Sequence, residues 1–260
     1  MTIMNLRYLL PLLAAAAFSL AAQQHTVFEF DVAAIKHNKM GGKRSGFDST
    51  PGLWKADNVT VKSVIMNAYE VLTDQISGAP SWLDSERFDI EAKFEQDPGT
   101  SKQDESKEAR LRLQALLASR FQFQMHRETR EWQAYVLVKG KKGPKLTPTK
   151  RSEGSSMHSN NGHLECNGVS MENLARGLAG RLGRPVVNET GLEGRFDFTL
   201  DFEPDAPVRA ADKDNLAGGV DANRPSMFTA LQDQLGLKLE SRKANVEFLV
   251  VDRVERPSGN

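Results

Sequence analysis

Two similar stretches of sequence decide the fold that this chain predicts: RFDIEAKFE at residues 87–95 and RFDFTLDFE at residues 195–203. Five of the nine aligned positions are identical. Apolar and polar residues alternate in both stretches, which is typical of a β-strand with one buried face. Because two such similar strands occur in one chain, we expect an internal repeat.

The segments before these strands predict one helix in each copy. Thr60 and Ser170 each follow a valine, at the ends of GLWKADNVT (residues 52–60) and GHLECNGVS (residues 162–170). A Thr or Ser at this position caps a helix because its hydroxyl accepts a hydrogen bond from a free amide of the first turn. Apolar residues recur at helical spacing after both caps, so each helix is expected to bury one face.

The segments after the two strands predict a second helix and then a hairpin in each copy. The hairpins are expected over residues 121–139 and 237–255, where an alternating strand leads through a polar turn into a continuously apolar strand. A further strand at residues 27–35 opens the first copy. The predicted fold class is therefore α+β, with two tandem related strand-helix-strand-helix-hairpin modules, each an open-faced small sheet packed by two helices.

These elements divide the chain into two predicted modules, residues 23–139 and residues 163–257. The segment between the modules, residues 140–162, is rich in Gly, Pro, Ser and charged residues, which predicts a linker. Residues 204–225 have no apolar period. They predict a flexible insertion in the second module.

The first 22 residues predict a secretory signal peptide. Arg7 precedes an apolar run at residues 9–22, and small residues at its end suit cleavage. The run is too short to cross a bilayer, which takes about 20 apolar residues. We therefore expect a periplasmic or extracellular protein with no stable membrane insertion after cleavage.

The composition argues against several classes of protein. The chain has 260 residues, 34 basic and 34 acidic side chains, and a mean hydropathy of -0.47. A net charge of zero argues against nucleic-acid binding, which needs a basic surplus to neutralise phosphates. The single cysteine, Cys166, cannot form an intramolecular disulfide. A hydrophobic core must therefore stabilise the fold, and Cys166 is expected to be buried in it.

Several long segments match the pattern of one known family: SGAPSWLDSERFDIEAK (residues 77–93), HRETREWQAYVLV (residues 126–138), GRPVVNETGLEGRFDFTLDF (residues 183–202) and SMFTALQDQLGLKLESRKANVEFLVVDRVERPS (residues 226–258). They resemble the secreted soil-associated proteins, which carry a domain of unknown function. The resemblance covers nearly the whole chain after the signal peptide. It implies no established activity.

The second copy also resembles, in apolar spacing and strand order, the short N-terminal domain of secretins and TonB-dependent receptors. That resemblance implies a periplasmic module that docks another cell-envelope protein. Motifs for a nucleophile elbow, a phosphate loop, dinucleotide binding or a CxxC pair are missing from the sequence. The sequence therefore favours a non-catalytic protein-binding or signalling adaptor without a cofactor. The alternatives are an extracytoplasmic hydrolase and a small-ligand sensor, each with its site between the two modules.

Four potential metal ligands lie within nine residues: His158, His163, Glu165 and Cys166. Imidazole, carboxylate and thiolate groups all bind zinc, and a loop could fold around the ion. The segment lacks the paired spacing of known zinc motifs, however. Cys166 also aligns with an alanine of the first copy, which favours simple burial.

Four other residues are candidates for contact with a partner: Trp82, His126, Arg127 and Arg130. The last three lie in the predicted turn of the first hairpin, where several basic side chains can present hydrogen-bond donors to carboxylates. The alternative is a solvated turn whose charges pair among themselves. Trp82 lies in a predicted turn, GAPSW at residues 78–82, so we expect it either to be exposed for a partner or to pack over the end of the sheet.

Overall fold

The computed structural model describes residues 28–39, 41, 45–95, 102–152, 154–204 and 224–257. The predicted signal peptide lies outside the described residues. So do residues 205–223, which make up most of the predicted insertion.

The described residues form a mixed α+β fold, as the sequence predicts. The helices are α1 (Val61–Tyr69), α2 (Trp82–Ser85), α3 (Lys102–Phe121), α4 (Met171–Leu182) and α5 (Met227–Leu235). The strands of the first half are β1 (Val32–His37), β2 (Gly46–Thr50), β3 (Leu53–Thr60), β4 (Ile76–Ser77), β5 (Arg87–Lys93) and β6 (Gln124–Lys139). Those of the second half are β7 (Thr147–Pro148), β8 (Ser156–Asn160), β9 (His163–Val169), β10 (Val186–Asn188), β11 (Phe196–Asp201) and β12 (Leu237–Arg253). None of the described helices combines the length and apolarity needed to cross a membrane.

The two predicted helix caps are present. The hydroxyl of Thr60 accepts a hydrogen bond from the N–H of Ser63 at 3.1 Å at the start of α1. The hydroxyl of Ser170 accepts one from the N–H of Asn173 at 3.2 Å at the start of α4. Both helices bury the apolar face that the sequence predicts. These contacts are local, so the residues within one turn are sufficient to specify them.

Two of the three sheets have equivalent strand orders. The first is β1-β5-β3-β2 and the second is β7-β11-β9-β8, and all their pairs are antiparallel. The predicted strands at residues 87–95 and 195–203 are β5 and β11, which lie inside these sheets. The segment expected to be a linker, residues 140–162, instead supplies the edge strands β7 and β8. Met157 of β8 pairs with Cys166 and packs against the second core, which explains how a strand forms in this polar segment.

The third sheet, with the order β10-β6-β12-β4, corrects the predicted hairpins. Strand β6 runs straight through its expected turn, and so does β12. The two strands pair with each other, antiparallel, from Leu237 opposite Lys139 to Arg253 opposite Gln124. The expected turn of β6, RETRE at residues 127–131, contains no Gly, Asn or Pro, the residues that tight hairpin turns favour.

This pairing makes each half of the chain complete the core of the other. The first core contains side chains of α1, α3 and β5 together with Leu249 and Val251 of β12. The second core contains side chains of α4 and α5 together with Leu137 of β6. A third, smaller cluster lies along the paired strands β6 and β12, with Val136 and Phe248 among its members. The described halves are therefore joined by strand exchange, and neither is a separate sheet closed by its own hairpin.

Candidate functional site

A cleft of about 630 Å³ lies between helix α1 of the first half of the chain and helix α4 of the second half. The first turns of α3 and strand β8 complete its walls. Both halves contribute apolar side chains to its lining: Met66, Val71 and Leu72 from the first, and Met157, Val169 and Ala179 from the second. We call this cavity the α1–α4 cleft.

Glu70 lines this cleft and is shared by two arginines. Its Oε1 lies 3.2 Å from Nη1 of Arg110, and its Oε2 lies 3.0 Å from Nη1 of Arg176. Arg110 belongs to α3, whereas Arg176 belongs to α4 of the other half. The three side chains are 31–41% exposed, so each ion pair alone contributes no more than about 1 kcal/mol to stability. Together the three groups carry one positive charge in excess.

Neighbouring contacts position these charged side chains. Glu70 directly follows α1 with a left-handed backbone, φ 52°, and its N–H donates to the carbonyl four residues earlier. Gln114 of α3 donates Nε2–H to the carbonyl of Ala68 at 2.8 Å, which fixes α3 beside α1. Nη1 of Arg176 also donates to Oδ1 of Asn173 at 3.2 Å. The guanidinium of Arg176 is therefore oriented by one contact within α4 and one across the cleft.

A second cavity of about 400 Å³ adjoins the α1–α4 cleft and shares Glu70 and Arg176 with it. Arg127 of β6 lines this cavity and donates to Glu247 of β12, so its charge is paired. Tyr69 also lines it. Burial raises the pKa of Tyr69, and the nearby Arg127 opposes this rise. The phenol therefore stays protonated at neutral pH and can donate a hydrogen bond.

The predicted contact residues of the first hairpin do not converge on one site. His126 and Arg130 lie on the face of β6 opposite to Arg127, because successive side chains of a strand alternate. Nδ1 of His126 lies 2.8 Å from a carboxylate oxygen of Asp252. Arg130 pairs with the glutamate two residues earlier and lies 4.9 Å above the ring of Phe248. Only Arg127 lies next to the α1–α4 cleft.

Trp82 is not exposed at a turn, because it begins the short helix α2 and packs into the first core at 9% exposure. The guanidinium of Arg256 lies 5.1 Å above its ring. Arg256 also donates two hydrogen bonds to Glu86, at 2.7 and 2.9 Å, and these lower the pKa of that carboxyl group. Trp82 therefore packs between the first core and Arg256, which is the packing alternative.

The potential metal ligands are divided between two faces of one sheet. Glu165 and Cys166 are neighbours in β9, so their side chains point to opposite faces. Burial, followed by the negative charge of Glu165, raises the pKa of Cys166 to about 12. His163 contacts Asp201 at 2.7 Å, and His158 lies opposite Glu165. Within the part of the chain that the structure describes, no three His, Cys, Asp or Glu residues are grouped closely enough to hold a metal.

Sequence reasoning missed Glu70, Arg110 and Arg176, which the fold brings together from distant segments. The sequence does contain one signal of the cleft. Helix α4 has Gly177 and Gly180 in its interior, where glycine is less favourable than alanine by about 1 kcal/mol. Both glycines line the α1–α4 cleft, and a Cβ at Gly177 would meet the sulfur of the Met157 side chain at 2.7 Å.

Comparison with known proteins identifies the family but no activity. Neither the curated proteins nor the solved structures include a match to this chain. One family model, described as a protein of unknown function (DUF3738), matches residues 62–254. This match begins in α1, ends just after β12 and includes all three charged residues of the α1–α4 cleft. The chain therefore belongs to the DUF3738 family of proteins of unknown function.

Proposed function

We propose that this chain is a non-catalytic binding protein and that the α1–α4 cleft is its ligand site. One observation carries the proposal: both halves supply apolar walls to the cleft, and an arginine from each half points into it. Small-molecule sites are commonly concave and apolar, with a few polar groups that orient the ligand. The sequence analysis gives a small-ligand sensor as one alternative, and that function requires a site between the two halves.

The chemistry of the cleft favours recognition over hydrolysis. Arg110 and Arg176 both contact the carboxylate of Glu70, and Arg176 also contacts the side-chain amide of Asn173. These groups bind and orient ligands. Ser156 and His158 of β8 also line the cleft, so the preference for recognition rests on the arginine pair.

The proposal includes secretion and an internal duplication. Secretion rests on the predicted signal peptide at residues 1–22, whose composition suits export. Duplication is supported by the equivalent strand orders of the two outer sheets and by the matching caps of α1 and α4. A duplicated protein with a cleft between its copies obtains one wall of the site from each copy.

A fluorescent probe tests whether the cleft binds ligands. The neutral probe N-phenyl-1-naphthylamine would be titrated into the purified chain lacking the signal peptide. Gly180→Trp should fill the cleft without disturbing α4, because a Cβ at Gly180 meets no atom within 4 Å. Gln232→Trp adds the same side chain to an exposed position of α5, which does not line the cleft.

We expect saturable binding to the wild type and to Gln232→Trp, and binding at least about tenfold weaker to Gly180→Trp. Equal binding to all three proteins would mean that the probe binds outside the cleft, which would overturn the proposal. No saturable binding to the wild type would also overturn the proposal.

A second candidate function is docking of another cell-envelope protein by strand addition. Strand β2 is at the edge of its sheet, and all five of its residues are exposed, including Phe47. An exposed edge can accept a partner strand through its backbone groups. This function predicts that Ser49→Pro, which removes an N–H at the open edge, abolishes capture of a partner from a cell-envelope extract, whereas Gly180→Trp does not. Capture that survives Ser49→Pro would exclude β2 as the docking edge.

A further inference from the structure

We propose that the ligand of the α1–α4 cleft is an apolar monocarboxylate whose carboxylate takes the place of Glu70 between Arg110 and Arg176. The inference rests on the proposed function, since it requires the cleft to be the ligand site. It adds the chemical class of the ligand and the residues that select it.

The geometry of the two arginines identifies the group that they recognise. Each guanidinium contacts a different oxygen of the same Glu70 carboxylate, at 3.2 and 3.0 Å. The planar guanidinium group matches the carboxylate in shape and charge. Because these donors come from opposite walls, a carboxylate between them is held by both halves of the chain. The side chain of Glu70 thus shows how the carboxylate of a ligand would bind.

The local charge permits this exchange. Glu70, Arg110 and Arg176 together carry one excess positive charge, so the cluster can attract an anion while Glu70 is still present. Arg127, in the adjoining cavity, is already paired with Glu247. The arginines of the cleft are therefore the pair that a ligand carboxylate would meet, and replacing one carboxylate by another preserves their ion pairs.

The backbone of Glu70 has a conformation that its side chain disfavours. Glu70 has φ 52° at the end of α1 and Gln122 has φ 50° after the end of α3, whereas α4 and α5 end at Gly183 and Gly236 with φ 61° and 64°. Glycine adopts this left-handed conformation without a steric penalty, and a longer side chain does not. Here Glu70 holds the two arginines in place until a ligand carboxylate arrives.

The walls of the cleft favour an apolar body for the ligand. Met66 and Leu72 line one side and Met157 lines the other. Methionine side chains are flexible and adapt to apolar groups of different shapes. The volume of about 630 Å³ lies within the range of small-molecule sites. A medium-length alkyl or aryl carboxylate satisfies the walls and the arginine pair together.

Displacement of the naphthylamine probe by decanoate tests the ligand class, with 1-decanol as the neutral compound of equal chain length. Decanoate should displace the probe from the wild type. Arg176→Met should weaken decanoate at least about tenfold, because one of the two donors is lost. Glu70→Gln should strengthen decanoate about fivefold, because the competing carboxylate is removed. The affinity of 1-decanol should change less than about twofold in either variant.

A second variant keeps the test independent of folding defects. Glu70→Gly removes the same carboxylate and suits the backbone at φ 52°, so it should reproduce the gain of Glu70→Gln. If decanoate and 1-decanol displace the probe equally from every protein, the carboxylate assignment is overturned while the proposed function stands. If the probe itself does not bind the cleft, the proposed function fails and this inference fails with it.

Discussion

Gly168 donates its backbone N–H to Oδ1 of Asp197 at 2.6 Å, across a β-bulge between β9 and β11. The first half contains the same arrangement, in which Asn58 donates its N–H to Oδ1 of Asp89 at 2.8 Å across a bulge between β3 and β5. Asn58 and Gly168 both have positive φ, at 53° and 64°. The aspartate of each RFD sequence therefore holds a bulge, which gives it a structural role in both halves of the chain.

The bulge contact predicts a pH dependence of stability. The hydrogen bond from Gly168 is the main cause that lowers the pKa of Asp197. A carboxyl group with a lowered folded-state pKa stabilises the fold above its unfolded-state pKa of about 3.9, and this stabilisation is lost as the pH falls through the folded-state value. Asp197→Asn should therefore lower the Tm at neutral pH and make it less dependent on pH below about pH 4.

Circular dichroism melts of both proteins from pH 7 to pH 3 would measure this. The difference in Tm between them should shrink as the pH falls. Parallel curves at all pH values would mean that ionised Asp197 does not stabilise the bulge.

The exchange of strands between the halves predicts the behaviour of a divided chain. Cutting between the exposed residues Lys141 and Lys142 leaves the first fragment without β12 and the second without β6. Each fragment then exposes part of its core, so neither should unfold cooperatively alone. Mixed together, the fragments should form a 1:1 complex with the circular dichroism spectrum of the intact chain.

Size-exclusion chromatography with light scattering would give the stoichiometry. A first fragment that is monomeric and unfolds cooperatively on its own would support the hairpin that the sequence predicts, against the pairing in the structure.

The difference between prediction and structure lies in contacts that are distant in sequence. The caps at Thr60 and Ser170 depend on residues within one helical turn, and the sequence predicts them correctly. The alternation in β6 is equally compatible with a hairpin or with pairing to β12. What favours pairing is burial of Val136 and Phe248 in the cluster along the two paired strands. No local pattern contains that information.

The candidate site illustrates the same limit. Arg127 was predicted as a contact residue because it is basic, and it lies beside the cleft with its charge paired to Glu247. Glu70 and Arg176 carry no distinctive local pattern in the sequence, and they meet only because α1 and α4 face each other across the cleft. Side chains that meet across a junction between halves cannot be found by spacing along one element.

The composition of the two cores predicts which half of the molecule a core substitution disturbs. Leu249 lies in β12 but packs in the first core at 1% exposure, and Leu137 lies in β6 but is fully buried in the second. Leu→Ala at either position should lower the free energy of unfolding by about 2–5 kcal/mol. Leu249→Ala should reduce hydrogen-exchange protection in α1 more than in α4, and Leu137→Ala should do the reverse.

Hydrogen exchange followed by mass spectrometry would resolve the two helices, and each variant is the control for the other. Loss of protection confined to the half of the chain that carries the substitution would contradict the shared cores.

The environment of Cys166 predicts an unreactive thiol in the native protein. Burial raises its pKa to about 12, so the nucleophilic thiolate is scarce at pH 8. Leu164 lies two residues before Cys166 in β9 and is also buried. Reagents therefore reach this part of the strand only when the fold opens. Alkylation by iodoacetamide at pH 8 should be at least about 100-fold slower in the native protein than in urea.

Mass spectrometry of timed samples would follow the reaction. Leu164→Ala is a variant that loosens the core around the thiol, so its Cys166 should react faster. Rapid alkylation of the native wild type, or a disulfide-linked dimer isolated from an oxidising compartment, would show that the thiol is accessible and that Cys166 does more than fill the core.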